Sequence, residues 1–156
     1  MYRKCYPNIT ETFEYNEQLN LLYEISDLTS IGGKLKYYRL KANLLQEDLA
    51  TLSEVHVCTI KRFENNQVLP ELKTCKKLAE AIGINPSLLY DEYLSFIDSD
   101  YSTIIKRLRK EFNLTQDTFA QILGISKKTL SFWERAAAYP SKASYETLSK
   151  YIKMSP

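Results

Sequence analysis

Glycine and proline are scarce in this chain, four and five among 156 residues. A many-turned β fold needs that punctuation, so its shortage favours helices. Histidine occurs once, at His56, and cysteine three times, at Cys5, Cys58 and Cys75. These form neither a CxxC pair nor a recognisable zinc set, and free thiols in a reducing compartment are the plain reading. No apolar run approaches the ~20 residues that a bilayer span requires. The start, "MYRKCYPNITETFEYNEQ", is too polar for a secretory signal. A cytoplasmic protein with no membrane role is therefore expected, and the Asn8-Ile9-Thr10 sequon carries no glycan meaning. Also missing are a nucleophile–base arrangement, a metal-ligand spacing and a phosphate-cradling glycine loop. Neither an enzyme, a cofactor nor a small-molecule effector is expected.

What the chain does have is a gradient of charge. Residues 1–30 hold 2 basic and 5 acidic side chains, net −3; residues 31–97 hold 9 and 8, net +1; residues 98–156 hold 10 and 6, net +4. Positive charge is thus gathered in the last third, which suits a polyanionic partner at one end of the molecule.

It also has a repeat. Displacing the sequence by 70 residues lays "LKYYRLKANLLQEDLATLSEVHVCTIKRFENNQVLP", from Leu35, on "IKRLRKEFNLTQDTFAQILGISKKTLSFWERAAAYP", from Ile105, without a gap. Arg39 meets Arg109, Asn43 meets Asn113, Leu44 meets Leu114, and Gln46 meets Gln116. Ala50 meets Ala120, Thr59 meets Thr129, Glu64 meets Glu134, Pro70 meets Pro140, and Leu78 meets Leu148. The chain reads as two copies of one helical unit.

Each copy parses alike. First helices over about 33–42 and 102–112 end at Asn43 and Asn113, residues that tolerate the left-handed conformation of a C-cap. Second helices follow over about 46–53 and 116–123, the later one N-capped by Thr115. Turns at Glu54-Val55-His56 and Gly124-Ile125-Ser126 lead to third helices over about 57–65 and 127–135. Pro70 and Pro140 are expected in the first turn of a fourth helix, where a missing N–H is harmless. The earlier copy adds a fifth helix after Asn85-Pro86, ending near Ile97. The domain expectation is an N-terminal, partly helical extension over 1–30, a first domain over 31–97, a linker at 98–101 and a second domain over 102–156. In the extension, Leu19, Leu22 and Ile25 form a helical stripe, expected to pack on the first copy or on another subunit as a homodimer contact.

Both copies resemble the Cro and lambda-repressor-like (XRE-type) helix-turn-helix family. The resemblance rests on "R(x)4LxQxxLA" over Arg39–Ala50, "LTQ" over Leu114–Gln116, "GIS" over Gly124–Ser126 and the shared arginine–glutamate–proline spacing. It covers about residues 31–97 and 102–153. It implies an all-α chain of two such bundles in tandem, each offering its third helix to the major groove of double-stranded DNA. It implies a structural ion pair between first and third helices, Arg39–Glu64 and Arg109–Glu134, which suits the fork of a guanidinium. It further implies phosphate contacts from Gln46 and Gln116 at the positive end of the second helix.

The reading faces follow from helix geometry. With Leu130 and Trp133 inward, Lys128, Phe132 and Arg135 point the opposite way, with Lys127 in the first turn, Ser131 on the flank and Ser126 at the turn. The cations can pair with phosphates or with guanine N7 and O6. Phe132 is either a reader of thymine methyl or an anchor against the bundle or the other copy. The earlier face holds Val57, Cys58, Arg62 and Asn65, with Lys61 alongside and His56 at the N-cap. Arg62 is its best base or phosphate contact. Glu54 stands where the family uses a turn glycine, and Ala136-Ala137-Ala138 where it places a glycine after the third helix. Alanine adopts the left-handed conformation only with strain, so a different loop path before Pro140 is expected.

The functional expectation is a sequence-specific double-stranded DNA-binding protein, a transcriptional regulator that reads two unlike half-sites, or one half-site with the second copy as support. The alternative is an interaction module, antitoxin-like or phage-inhibitor-like, that uses the same fold to bind a protein partner.

Overall fold

The computed structural model describes residues 28–154. The expected helical stripe of the N-terminal extension lies outside the described residues. Among those described, the chain is all-helical with no strand: α1 (Ile31–Lys41), α2 (Gln46–Ser53), α3 (Val57–Glu64), α4 (Leu72–Ile82), α5 (Glu92–Asp98), α6 (Tyr101–Glu111), α7 (Gln116–Ile122), α8 (Lys127–Glu134) and α9 (Lys142–Met154). A 3-10 turn at Pro86–Leu89 lies between α4 and α5. The first four helices recur as α6 to α9, each starting 70 residues later.

The sequence explains why the helices begin and end there. Ser30 caps α1 by accepting the Gly33 N–H at 3.0 Å. Thr115 caps α7 through the Thr118 N–H at 3.2 Å. Ser126 caps α8 through the Thr129 N–H at 3.0 Å. Leu45 cannot cap α2 with its side chain; instead Asp48 reaches back and accepts the Leu45 N–H at 2.8 Å. Asn43 and Asn113 close α1 and α6 in the left-handed conformation, φ 57° and 52°, and Leu44 and Leu114 then donate to the carbonyls of Arg39 and Arg109.

Two compact units result, one running to Asp91 and the other beginning at Glu92. In the first, α3 packs on α1 and α2, and α2 on α4, around Leu35, Leu49, Ile60, Phe63 and Leu78. In the second, the residues 70 positions on, Ile105, Phe119, Leu130, Trp133 and Leu148, are buried in turn. The same five sites therefore make both cores. Leucine 49 and phenylalanine 63 are exchanged for the larger Phe119 and Trp133, so the second core is filled by wider rings.

Three expectations need correction. The fifth helix predicted up to Ile97 is broken: Asn85 caps only the short turn, accepting the Ser87 N–H at 3.0 Å, and a new helix starts at Glu92. That helix, α5, belongs to the second unit, where Phe96 stacks on Tyr101 and Tyr145 and the Tyr93 hydroxyl donates to the Pro140 carbonyl at 3.0 Å. An aromatic seam centred on buried Phe96 outweighs continuity along the chain. Pro70 and Pro140 sit two residues before α4 and α9 rather than inside them, and both are buried. Finally, the Ala136 loop takes the same path as its counterpart. Ala136 adopts φ 56° where Asn66 has 54°. The same backbone bonds close both loops: Asn66 to Phe63 and Gln67 to Arg62, then Ala136 to Trp133 and Ala137 to Phe132. Those bonds hold alanine in a conformation it disfavours.

Candidate nucleic-acid interface

The third helix of each unit is oriented by one repeated device. In the first unit the Arg39 Nε and Nη2 donate to the two carboxylate oxygens of Glu64 at 2.6 and 2.9 Å. Its Nη1 donates to the Leu44 carbonyl at 2.7 Å. The second unit repeats this with Arg109 and Glu134 at 2.6 and 3.2 Å, and with the Leu114 carbonyl at 3.1 Å. The fork and the carbonyl satisfy three of the five guanidinium donors with fixed geometry in each unit. The arginine ties three places together: the end of α1 or α6, the turn after it, and the end of α3 or α8.

A third residue completes each set. The Gln46 side-chain N–H donates to Glu64 at 2.7 Å, and the Gln116 N–H to Glu134 at 2.8 Å. Each glutamine opens its helix and is partly exposed. One carboxamide hydrogen is engaged and the rest of the group lies at the positive helix end. The electrostatic consequence is visible in the second unit. Burial alone pushes the Glu134 carboxyl up, but hydrogen bonds from Arg109 and Gln116 outweigh it and hold the group below its ordinary value. The same contact with Glu134 raises Arg109.

The faces turned away from these cores carry the predicted residues. On α3, Cys58, Lys61, Arg62 and Asn65 are exposed and Val57 is partly buried. His56 is exposed at the N-cap, its Nδ1 accepting the Cys58 N–H at 3.2 Å, which leaves the proton on Nε2 in the neutral ring. On α8, Lys127, Lys128 and Arg135 are exposed, while Ser131 and Phe132 are partly buried. Ser126 is committed as a cap. Lys128 and Arg135 both lie within reach of the Phe132 ring, their charged groups 5.7 and 5.4 Å from its centroid.

Two participants escaped sequence reasoning. Lys127 pairs with Asp117 at 2.6 Å, and Lys61 with Glu47 at 3.4 Å. Glu47 and Asp117 are the same position in the repeat, one residue into the second helix, although their lysine partners are not. The shared acidity was readable in the 70-residue alignment; the partner was not, since it depends on where the third helix lies. Glu54 occupies the turn with φ 56°, against 67° for Gly124, and pairs with Lys77 at 3.2 Å. The first copy therefore carries Glu47, Asp48 and Glu54 along its second helix and turn, where the second has Asp117 alone at the matching positions.

Among the described residues no cluster of histidine, cysteine and carboxylate side chains could hold a metal ion, and no helix is long and apolar enough to cross a membrane. Two helix-turn-helix bundles, each with a third helix braced by an arginine–glutamate ion pair and turning a polar face to solvent, make this a tandem helix-turn-helix chain. It belongs to the XRE-type helix-turn-helix family HTH_3, whose model matches residues 35–89 and again 105–156. The chain is also similar to an uncharacterised HTH-type transcriptional regulator of Methanocaldococcus jannaschii, with 44% identity over 52 residues, covering 33% of this chain and 79% of the relative. No solved structure matches the chain.

Proposed function

We propose that this protein is a transcriptional regulator that binds double-stranded DNA in a sequence-specific manner, with α3 and α8 entering the major groove. The observation that carries this reading is the duplicated brace. In both units an arginine–glutamate fork, buried in the first and partly buried in the second and extended by a glutamine, fixes the third helix while leaving its polar face exposed. The face left open carries Lys61 and Arg62 in one unit and Lys127, Lys128 and Arg135 in the other, donors and charges suited to a polyanion.

In this reading Gln46 and Gln116 approach phosphates with their uncommitted donors, assisted by the helix ends. Lys61, Lys127 and Lys128 neutralise phosphates, and Arg62 and Asn65 address guanine and adenine edges. The two faces differ at nearly every reading position, so one chain recognises two unlike half-sites. The test is selection from a random duplex pool, repeated after Lys127→Glu/Lys128→Glu and after Lys61→Glu/Arg62→Glu. A single enriched sequence is expected, with each double change erasing preference in a different half. Affinity should fall steeply with added salt as counterions are released. Failure to enrich any sequence, or binding indifferent to salt, overturns the proposal.

A second reading draws on a specific observation. Leu45 and Leu52 of the first unit are more than half exposed, at the start of and within the α2 helix that also carries Glu47 and Asp48 and leads into Glu54. Such a surface suits a protein partner better than a phosphate backbone. Charge reversal at Lys127 and Lys128 separates the two readings, since it erases recognition of the α8 half-site and spares a protein complex formed through the first unit.

A further inference from the structure

The middle of the α8 face is an aromatic ring bracketed by two cations. Lys128, Phe132 and Arg135 lie at spacings of four and three residues, so they share one stripe of the helix. The two charged groups stand 5.7 and 5.4 Å from the ring centroid, and the Arg135 Nε is also tied to the Ser131 carbonyl at 3.2 Å. Both cations are solvent-exposed while the ring is only partly buried. A core-filling ring looks different: Trp133, the next residue, is 4% exposed. The matching stripe of α3 reverses this order, with Arg62 in the middle between Cys58 and Asn65.

We infer that Phe132 is a specificity-determining residue that recognises the C5 methyl group of a pyrimidine, resting on the reading above in which α8 enters the major groove. Thymine offers the one apolar group on the groove edge of an unmodified duplex. Phenylalanine has no hydrogen-bonding atom, so placing it against guanine N7 and O6 would strip those acceptors of water and return nothing. Against a methyl group it removes apolar surface from water on both sides. The flanking cations restrain the ring before DNA arrives and supply the donors for acceptors or phosphates on either side. The chemistry recognised is therefore a methylated pyrimidine edge, which thymine and 5-methylcytosine share.

The experiment begins with the duplex enriched by the full-length protein. Each thymine in turn is replaced by deoxyuridine, which lacks only the methyl group, and in a parallel series each cytosine is replaced by 5-methylcytosine. With the unaltered protein, deoxyuridine at one or two positions in the half-site of α8 is expected to weaken binding about three- to five-fold, the value of one buried methyl. In Phe132→Ala that difference should vanish while the salt dependence stays unchanged, because no charge is altered. If alanine unfolds the second unit, judged by helical circular dichroism, Phe132→Leu should keep part of the methyl preference and Phe132→Gln should lose it. Tightening by 5-methylcytosine that also depends on Phe132 supports the inference with the modified base as the natural target. Binding unaffected by either substitution, or a methyl preference that survives Phe132→Gln, overturns it. Enrichment of no duplex at all would instead overturn the major-groove reading itself.

Discussion

At the scale of single residues, the two copies differ where the first helix meets the loop after the third. Where α1 crosses the end of α3, Gly32 leaves no room for a side chain: a Cβ there would run into the Phe63 carbonyl oxygen and the Asn66 amide. Asn66 exploits the space, accepting the Gly32 N–H at 3.2 Å and donating to Ser30 at 3.1 Å. Seventy residues later the pair is Ser102 and Ala136, a side chain gained on one helix and lost on the loop. Gly32→Ala should therefore destabilise the first unit by about 1–3 kcal/mol, the usual cost of overpacking, read as a lowered denaturant midpoint with an unchanged slope. Ala136 poses the converse case. Its φ of 56° is strained for alanine and free for glycine, so Ala136→Gly should stabilise the second unit by about 0.5–1 kcal/mol after the added freedom of the unfolded chain is deducted. Thermal unfolding of the two variants checks both signs.

The scale of the helix and its brace is where pH enters. Glu134 is held below its ordinary value of 4.5 in the folded protein. Its contribution to stability is therefore complete above about pH 4.5 and is lost as pH falls through the depressed folded value. Asp100, which caps α6 and is likewise lowered by hydrogen bonds from Thr103 and Ser102, adds to the same acid-side loss. Glu134→Gln should flatten the acid limb of a stability-against-pH curve, at the cost of leaving Arg109 without its anionic partner. Much at this scale was legible beforehand. The arginine and glutamate recur at one spacing in both copies, and caps such as Thr115 and Asn113 declare helix ends by their chemistry. The break at Asn85–Glu92 was not legible, because the aromatic contacts that favour a separate α5 join residues some fifty positions apart. Nor was the path after α8, where backbone hydrogen bonding overrides the reluctance of alanine.

For the molecule as a whole, the repeat made the tandem helix-turn-helix architecture readable from sequence, since a period of 70 residues carries its own internal check. Which cations are available to a polyanion was not readable, because pairing across helices depends on their placement. The acidic position at Glu47 and Asp117 gives the two copies a common consequence. Lys61 and Lys127 already hold a carboxylate, so a phosphate arriving there displaces a tethered counterion that cannot diffuse away. Such an exchange liberates less entropy than the release of a dissolved ion, and the slope of affinity against salt then understates the number of phosphates touched. Asp117→Asn should bind a duplex more tightly at low salt and show a slope steeper by about 0.9, one more ion's worth. In this protein the charge that greets a strand is rationed by its own acidic neighbours.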